Sequence, residues 1–323
     1  MNKLKYIKTF FIMTLVAASV ASCGSDDSGN SNYENLAVTA NGSGLSTFVS
    51  AAELAGIGSR LTGSNDITVF APTNAAFDQF LSENGFANLE AVPVDLLREV
   101  LLNHMVTGDL ASVDLFTSYK KTLAHGPAST SSPLSLYVKV DSGVKLNGVS
   151  SVTTADIRAS NGRIHIVDRV IPAATVFQHL QANPDLSMFT SGLQTNPGSQ
   201  FVQTLSGTGS QSPFTVLAPT NSGINTLLND VDVNGFGDLS ASALEEILSY
   251  HILGNGNKLY TSLADGSYPT LSGQSFTIQN TGGGKKITDV NNRVANFGDS
   301  FTRDIQGWNG VIHIIDNGLQ PGL

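Results

Sequence analysis

Hydrophobic and polar positions follow two rhythms along the chain, and the change from one to the other happens twice. Thr68-Val69-Phe70-Ala71 is a short, β-prone apolar run that reads as a buried strand. Pro72 has no N–H for a sheet ladder and ends it, and Thr73 or Asn74 can cap a helix that presents Ala76, Phe77 and Phe80. Leu97, Val100, Leu101, His104 and Met105 then fall at i, i+3, i+4, i+7 and i+8. That spacing predicts an amphipathic helix with the histidine on its apolar stripe, near the C-terminal end. From Pro133 to Asp168 the period shortens to two: Leu134, Leu136, Val138 and Val140 alternate, and Asp141-Ser142-Gly143 marks a turn. Ile164 to Val167 is apolar on both faces, as an interior strand is. The unit is expected to be helical first and β-rich second.

The same text recurs. Thr68–Asn74 returns as Thr215-Val216-Leu217-Ala218-Pro219-Thr220-Asn221, and His104 returns at the same distance as His251. Asn161-Gly162-Arg163-Ile164-His165-Ile166-Val167-Asp168 returns as Asn309-Gly310-Val311-Ile312-His313-Ile314-Ile315-Asp316, one position further on. Leu45-Ser46-Thr47-Phe48 matches Leu186-Ser187-Met188-Phe189. Leu244, Ile247, Leu248, His251 and Ile252 repeat the helical stripe, and Thr281-Gly282-Gly283-Gly284 supplies a hairpin tip after Phe276 and Ile278. Solenoid repeats are far shorter, so the pattern predicts two tandem globular domains, residues 33–172 and 173–323, with the boundary between Pro172 and Pro184. A length of 323 residues suits two domains that each bury a core.

Residues 1–22 read as an address. Lys3, Lys5 and Lys8 precede the apolar run Phe10–Ala18, which is too short to span a bilayer comfortably and is followed by Ala21 and Ser22. Ser19-Val20-Ala21-Ser22-Cys23-Gly24 resembles a bacterial lipobox, with Val20 where leucine is usual. The only cysteine of the chain stands where acylation needs it, so Cys23 is the expected lipid-attachment residue and the membrane the expected partner of the anchor. Residues 23–32 read as a flexible tether, and Ser25-Asp26-Asp27 resembles the acidic export signal of Bacteroidetes lipoproteins. Those features point to an outer-membrane lipoprotein displayed at the cell surface, with a periplasm-facing orientation as the alternative.

Composition removes several classes. The formal charge is −9, so the electrostatic footprint of a nucleic-acid-binding protein is missing. One cysteine excludes an internal disulfide framework and a cysteine-built zinc site. His165 and His313 sit among Ile and Val on interior strands and read as core imidazoles, and His104 and His251 read as core or rim residues near a helix C-terminus, where the dipole favours the charged form. Asp168 and Asp316 fall on the opposite strand face from the histidine three residues earlier, so no direct pair is implied. His125 and His179 have no repeat partner and read as loop residues, and Asp230 and Asp232 as part of a solvated loop. No nucleophile elbow occurs, and Gly282-Gly283-Gly284-Lys285-Lys286 lacks the earlier glycine and the hydroxyl of a phosphate loop. No catalytic residue, metal site or cofactor is assigned, and the chain is not read as an enzyme.

Thr-Val-Phe-Ala-Pro-Thr-Asn-x-x-Phe, a helix ending in histidine, then Asn-Gly-x-Ile-His-x-x-Asp together resemble the fasciclin domain, twice over residues 33–323. The resemblance implies an α+β fold, each domain a twisted β-sheet wedge packed against several short helices. It marks Thr73, Asn74, His104, His165, Asp168, Thr220, Asn221, His313 and Asp316 as structural motif residues. The family's Tyr-His pair stands as Tyr250-His251 but reads Asn103-His104 in the first copy, so Tyr250 and His251 are the candidate ligand-binding residues. The implied function is adhesion or binding to a matrix, glycan or protein partner. No Arg-Gly-Asp tripeptide is present. The alternative is an accessory subunit of a glycan-handling outer-membrane assembly.

Overall fold

The computed structural model describes residues 33–195 and 200–323. The signal peptide, Cys23 and the tether expected from the sequence lie outside them. Tyr33–Leu323 forms one compact unit.

The first domain opens with α1 (Leu36–Gly42), α2 (Ser46–Leu54) and α3 (Gly58–Thr62), followed by β1 (Ile67–Pro72), α4 (Asn74–Glu83) and α5 (Val94–Leu102). Strands β2 (Met105–Thr107), β3 (Ser118–Gly126), β4 (Ser129–Val140), β5 (Val144–Leu146), β6 (Ser150–Ala159) and β7 (Gly162–Val167) complete it. Each strand pairs antiparallel with the next, and β7 returns parallel to β1, from Ile67↔Gly162 to Pro72↔Val167, closing a seven-stranded barrel. The period of two decides where the cores lie. Val69 and Ala71 of β1 face the helices with Phe48, Phe77, Leu97 and Leu101, while Phe70 between them faces Val106, Leu136, Val138 and Val167. A strand buried on both faces must be apolar throughout, as the opening run is.

The second domain repeats the order with α6 (Val176–Ala182), α7 (Ser187–Thr195), α8 (Phe201–Ser206), β8 (Phe214–Pro219), α9 (Asn221–Asp230) and α10 (Ala241–Ser249). Its strands are β9 (Ile252–Leu253), β10 (Gly266–Pro269), β11 (Ser275–Thr281), β12 (Gly284–Thr288), β13 (Val294–Asn296), β14 (Ile305–Gly307) and β15 (Gly310–Ile315). Here the ring is divided into two four-stranded sheets, β14-β15-β8-β9 and β10-β11-β12-β13. The Thr281↔Gly284 pairing leaves Gly282-Gly283 as the two-residue tip expected from the sequence. Asp230 ends α9 instead of lying in a loop, and its carboxylate meets the Arg293 guanidinium at 2.9 Å.

The two domains keep separate cores but are not independent bodies. Trp308 of the second packs on the core of the first, and Tyr119 of the first packs on the core of the second. Lys121 Nζ donates to Ser135 Oγ at 3.1 Å and to the Asp304 carbonyl at 2.6 Å, and Gln306 N donates to the same Ser135 Oγ at 2.9 Å. His179 lies in this seam, fully buried on α6 with its ring edge-on to Tyr119, and His125 lies on β3 with its N–H on Glu99. Both differ from the loop positions that the sequence suggests: β3 extends through His125, and α6 packs His179 against the neighbouring domain, a contact of which one domain's repeat pattern carries no trace.

Candidate functional site

The shared motif residues converge on the junction between the helical layer and the first strand of each domain. Thr73 and Thr220 are N-caps whose hydroxyls accept the N–H of Ala76 and Gly223 at 3.1 Å. Asn74 and Asn221 reach the other way, accepting the N–H of Thr47 at 3.1 Å and of Met188 at 2.9 Å, so each ties the new helix to α2 or α7. Asn161 accepts Leu36 N and donates to the carbonyls of Leu61 and Gly63, and Asn309 does the same with Val176, Leu205 and Gly207. The sequence shows these two asparagines as repeats, and the structure gives them their role as clamps between sheet and helices. The glycine behind each has no room for a side chain: a Cβ would lie 1.9 Å from the Ile67 carbonyl oxygen at Gly162 and 2.3 Å from that of Phe214 at Gly310.

The four repeated histidines are bonded at both ring nitrogens to main-chain groups. His104 Nδ1 lies 2.7 Å from the Val100 carbonyl, and its Nε2 accepts Ile171 N at 2.8 Å. His251 matches it with the Ile247 carbonyl and Leu319 N, both at 2.8 Å. A carbonyl can only accept and an N–H can only donate, so both rings are neutral with the proton on Nδ1. His165 and His313 carry the opposite tautomer. Their Nε2 atoms lie 2.9 Å from the Leu110 carbonyl and 2.8 Å from that of Lys258, while Nδ1 accepts the N–H of Asp156 and Asp304. Burial drives the His104 and His251 imidazoles down to about 4 and lowers those of His165 and His313 as well.

The candidate carboxylates do not meet these rings. Asp168 accepts Ser151 N at 2.7 Å and Asp316 accepts Asn296 N at 2.7 Å, stapling the strand end to its neighbour. Tyr250 and His251 are adjacent in sequence but enter different cores. The His251 ring is edge-on to Phe189, while Tyr250 packs on Phe276 and donates its hydroxyl to the Ser275 carbonyl at 3.0 Å. Both are fully buried, and burial pushes the Tyr250 phenol up to about 12. As placed, neither side chain reaches solvent, so a ligand would meet them only if this core opened. Asn103, at the Tyr250 position, donates to the carbonyls of Ile171 and Pro172.

His179 is different in kind. Neither of its ring nitrogens has a hydrogen-bond partner among the described residues, since its approach to the Gln306 main chain falls short of good geometry. Burial, with the Lys121 charge nearby, lowers it to about 3. No group of three or more His, Cys, Asp or Glu among the described residues is placed to hold a metal, and no helix there is long and apolar enough to cross a membrane.

The fasciclin domain model matches residues 43–173 and 184–321. Human periostin is 28% identical over 264 residues, covering 81% of this chain and 29% of that protein. The rabbit (Oryctolagus cuniculus) transforming growth factor-beta-induced protein ig-h3 is 29% identical over 298 residues, covering 89% of this chain and 38% of that protein. The chain thus spans about a third of the length of these relatives. Among solved structures, a domain pair from the insect cell adhesion molecule fasciclin I superposes with a TM-score of 0.51 at 20% identity, covering 86% of this chain and 97% of that one. With both matched segments falling on the two repeats built around the Thr-Asn caps and the neutral histidines, the chain belongs to the fasciclin domain family and carries two such domains in tandem.

Proposed function

We propose that this chain is a lipid-anchored extracytoplasmic binding protein that makes adhesive contacts with a matrix, glycan or protein partner through its two fasciclin domains. The observation that carries the reading is the pairing of two such domains in one compact unit, the arrangement also found in the insect adhesion molecule. Two contacts on one tether gain avidity over either alone, whereas turnover has no need of a second copy. The motif histidines favour the same side of the question. General acid–base work needs a group that exchanges protons near neutral pH, and these rings are held neutral by main-chain bonds on both nitrogens.

In this reading Cys23 carries the acyl chains, residues 24–32 form the tether, and the domains face outward from the outer membrane. Fatty-acid labelling should be lost in Cys23→Ala, and external protease should remove the domains from intact cells. Full-length protein should bind a subset of matrix and glycan array spots, and cells lacking it should adhere less to those surfaces. Labelling that survives the substitution contradicts the anchor. Arrays and cells that show no difference contradict the adhesive role.

A further inference from the structure

The tip of the β11–β12 hairpin and the segment between β13 and β14 line a cavity of about 240 Å³ in the second domain. Lys285, Lys286 and Arg303 converge there with Tyr260, Phe297 and Asn296, in a chain whose formal charge is −9. The Arg303 guanidinium lies 3.9 Å from the centroid of the Tyr260 ring, and Tyr260 stands edge-to-face with Phe297 at 5.3 Å. Lys285 braces this wall: its main-chain N–H donates to the Tyr260 hydroxyl at 3.1 Å, and its ammonium donates to the Leu263 carbonyl and the Asn280 side chain.

The nearby carboxylates are engaged with amide donors. Asp304 accepts Tyr260 N, Asp265 accepts from Asn280, Asp299 accepts Phe301 N, and Asp316 accepts from Asn296. Among the described residues, Lys286 and Arg303 meet no carboxylate within ion-pair distance. Two cations with unused donors therefore border a partly exposed aromatic wall. The first domain has no such arrangement. Ser112 stands at the Tyr260 position, donating its N–H to Asp156 as Tyr260 does to Asp304, and the cation beside it, Arg163, is closed by Asp109 and Asp156.

The geometry points to this cavity as a binding site for one anionic sugar unit, bearing a carboxylate or a sulfate. Arg303 and Lys286 supply charge-assisted hydrogen bonds to the anion. The Phe297 ring, beside the Tyr260 face that Arg303 covers, offers an apolar patch to the C–H face of a pyranose, and Asn296 offers a polar edge to its hydroxyls. The volume falls below the roughly 300–1,000 Å³ of sites for drug-sized ligands, which suits a single ring of a longer chain. The assignment rests on the reading of this protein as a binding protein and names one ligand class for it.

The test is calorimetric titration of the full chain in detergent with uronate-bearing, sulfated and neutral oligosaccharides of matched length, and with inorganic sulfate. At least one acidic oligosaccharide should bind while the neutral one does not, and its affinity should fall as salt is raised. Arg303→Gln and Lys286→Gln should each weaken binding about tenfold, the size expected for one charged hydrogen bond. Arg303→Lys should recover part of the loss, and Lys286→Gln, at an exposed position, should leave the melting temperature unchanged. Equal binding of the neutral oligosaccharide, or inorganic sulfate binding as tightly as the acidic sugars, would overturn the assignment. Acidic binding that both glutamine variants leave intact would overturn this cavity alone, since the arrays test adhesion separately.

Discussion

The two domains share a frame and differ in how it closes. In the first, β6 runs unbroken from Ser150 to Ala159 and the barrel is complete. In the second, the equivalent stretch is split into β13 and β14, and residues 297–304 between them carry Phe297 and Arg303 outward. A similar exchange occurs at the helices. Gly318 N donates to the Gly223 carbonyl at 3.1 Å, and a Cβ on Gly223 would lie 2.5 Å from the Asp316 carbonyl oxygen, so the second domain is closed there. The first domain has Ala76 and Val170 at those positions and keeps a cleft of about 210 Å³ beside Phe80 and Ile171. The motif residues keep the same bonds in both copies while the surface openings move. The motif is framework, and the surface openings lie in the segments that differ.

The largest expected effect separates the closed ring from the open one. Gly162→Ala forces a Cβ into the Ile67 main chain at a φ of +140°, and it should cost more than about 4 kcal/mol or abolish folding. Gly310→Ala meets a slightly longer approach in the divided ring and should cost less, as read from urea denaturation midpoints. Equal losses would show that the shorter contact and positive φ at Gly162 carry no extra cost.

Acid comes next. The His104 and His251 rings have folded-state values near 4, below the unfolded value of about 6.5, so protons bind the unfolded chain first. The stability they contribute is complete above about pH 6.5 and is lost as pH falls toward 4. Each should remove about 1.4 kcal/mol per pH unit over that window, on the order of 3 kcal/mol in all. His179, at about 3 in the seam, adds to the slope, and His179→Phe should flatten it, because the titrating ring is removed. Denaturation at pH 7.5, 6 and 5 reads this directly.

Smaller effects test the clamps and caps. Asn161→Ala and Asn309→Ala each leave buried main-chain groups without partners and should cost about 2–3 kcal/mol, alike in the two domains. Thr73→Ala and Thr220→Ala should each cost about 1 kcal/mol. A large inequality within either pair would break the claim of a common frame.

Much of that frame was legible because it is local. Apolar spacing placed α5 and α10, the proline marked the end of β1 and β8, and the Gly-Gly dipeptide placed a hairpin tip. The burial of His165 and His313 followed from their apolar neighbours, while His104 and His251, which the sequence leaves at core or rim, are fully buried and neutral. The seam was not legible: Lys121 and Asp304 meet across 183 positions, in a contact between domains that repetition within each domain does not encode. His179 reads as an isolated polar residue because its surroundings come from the other domain. The Gly-rich Lys285-Lys286 segment is visible, but only the fold brings Arg303 and Tyr260 beside it. Tyr250-His251 looks like one site in sequence, yet adjacent residues leaving a helix end point into different cores.

The central claim is that the motif histidines hold each of the two domains together from within as neutral main-chain cross-links. Imidazole nitrogen NMR of the ¹⁵N-labelled protein between pH 7.5 and 5.5 tests it most directly. The account predicts His104 and His251 with the proton on Nδ1 and not titrating in that range, and His165 and His313 with the proton on Nε2. His104 or His251 titrating near 6.5, or any of the four rings carrying the opposite tautomer, would contradict it.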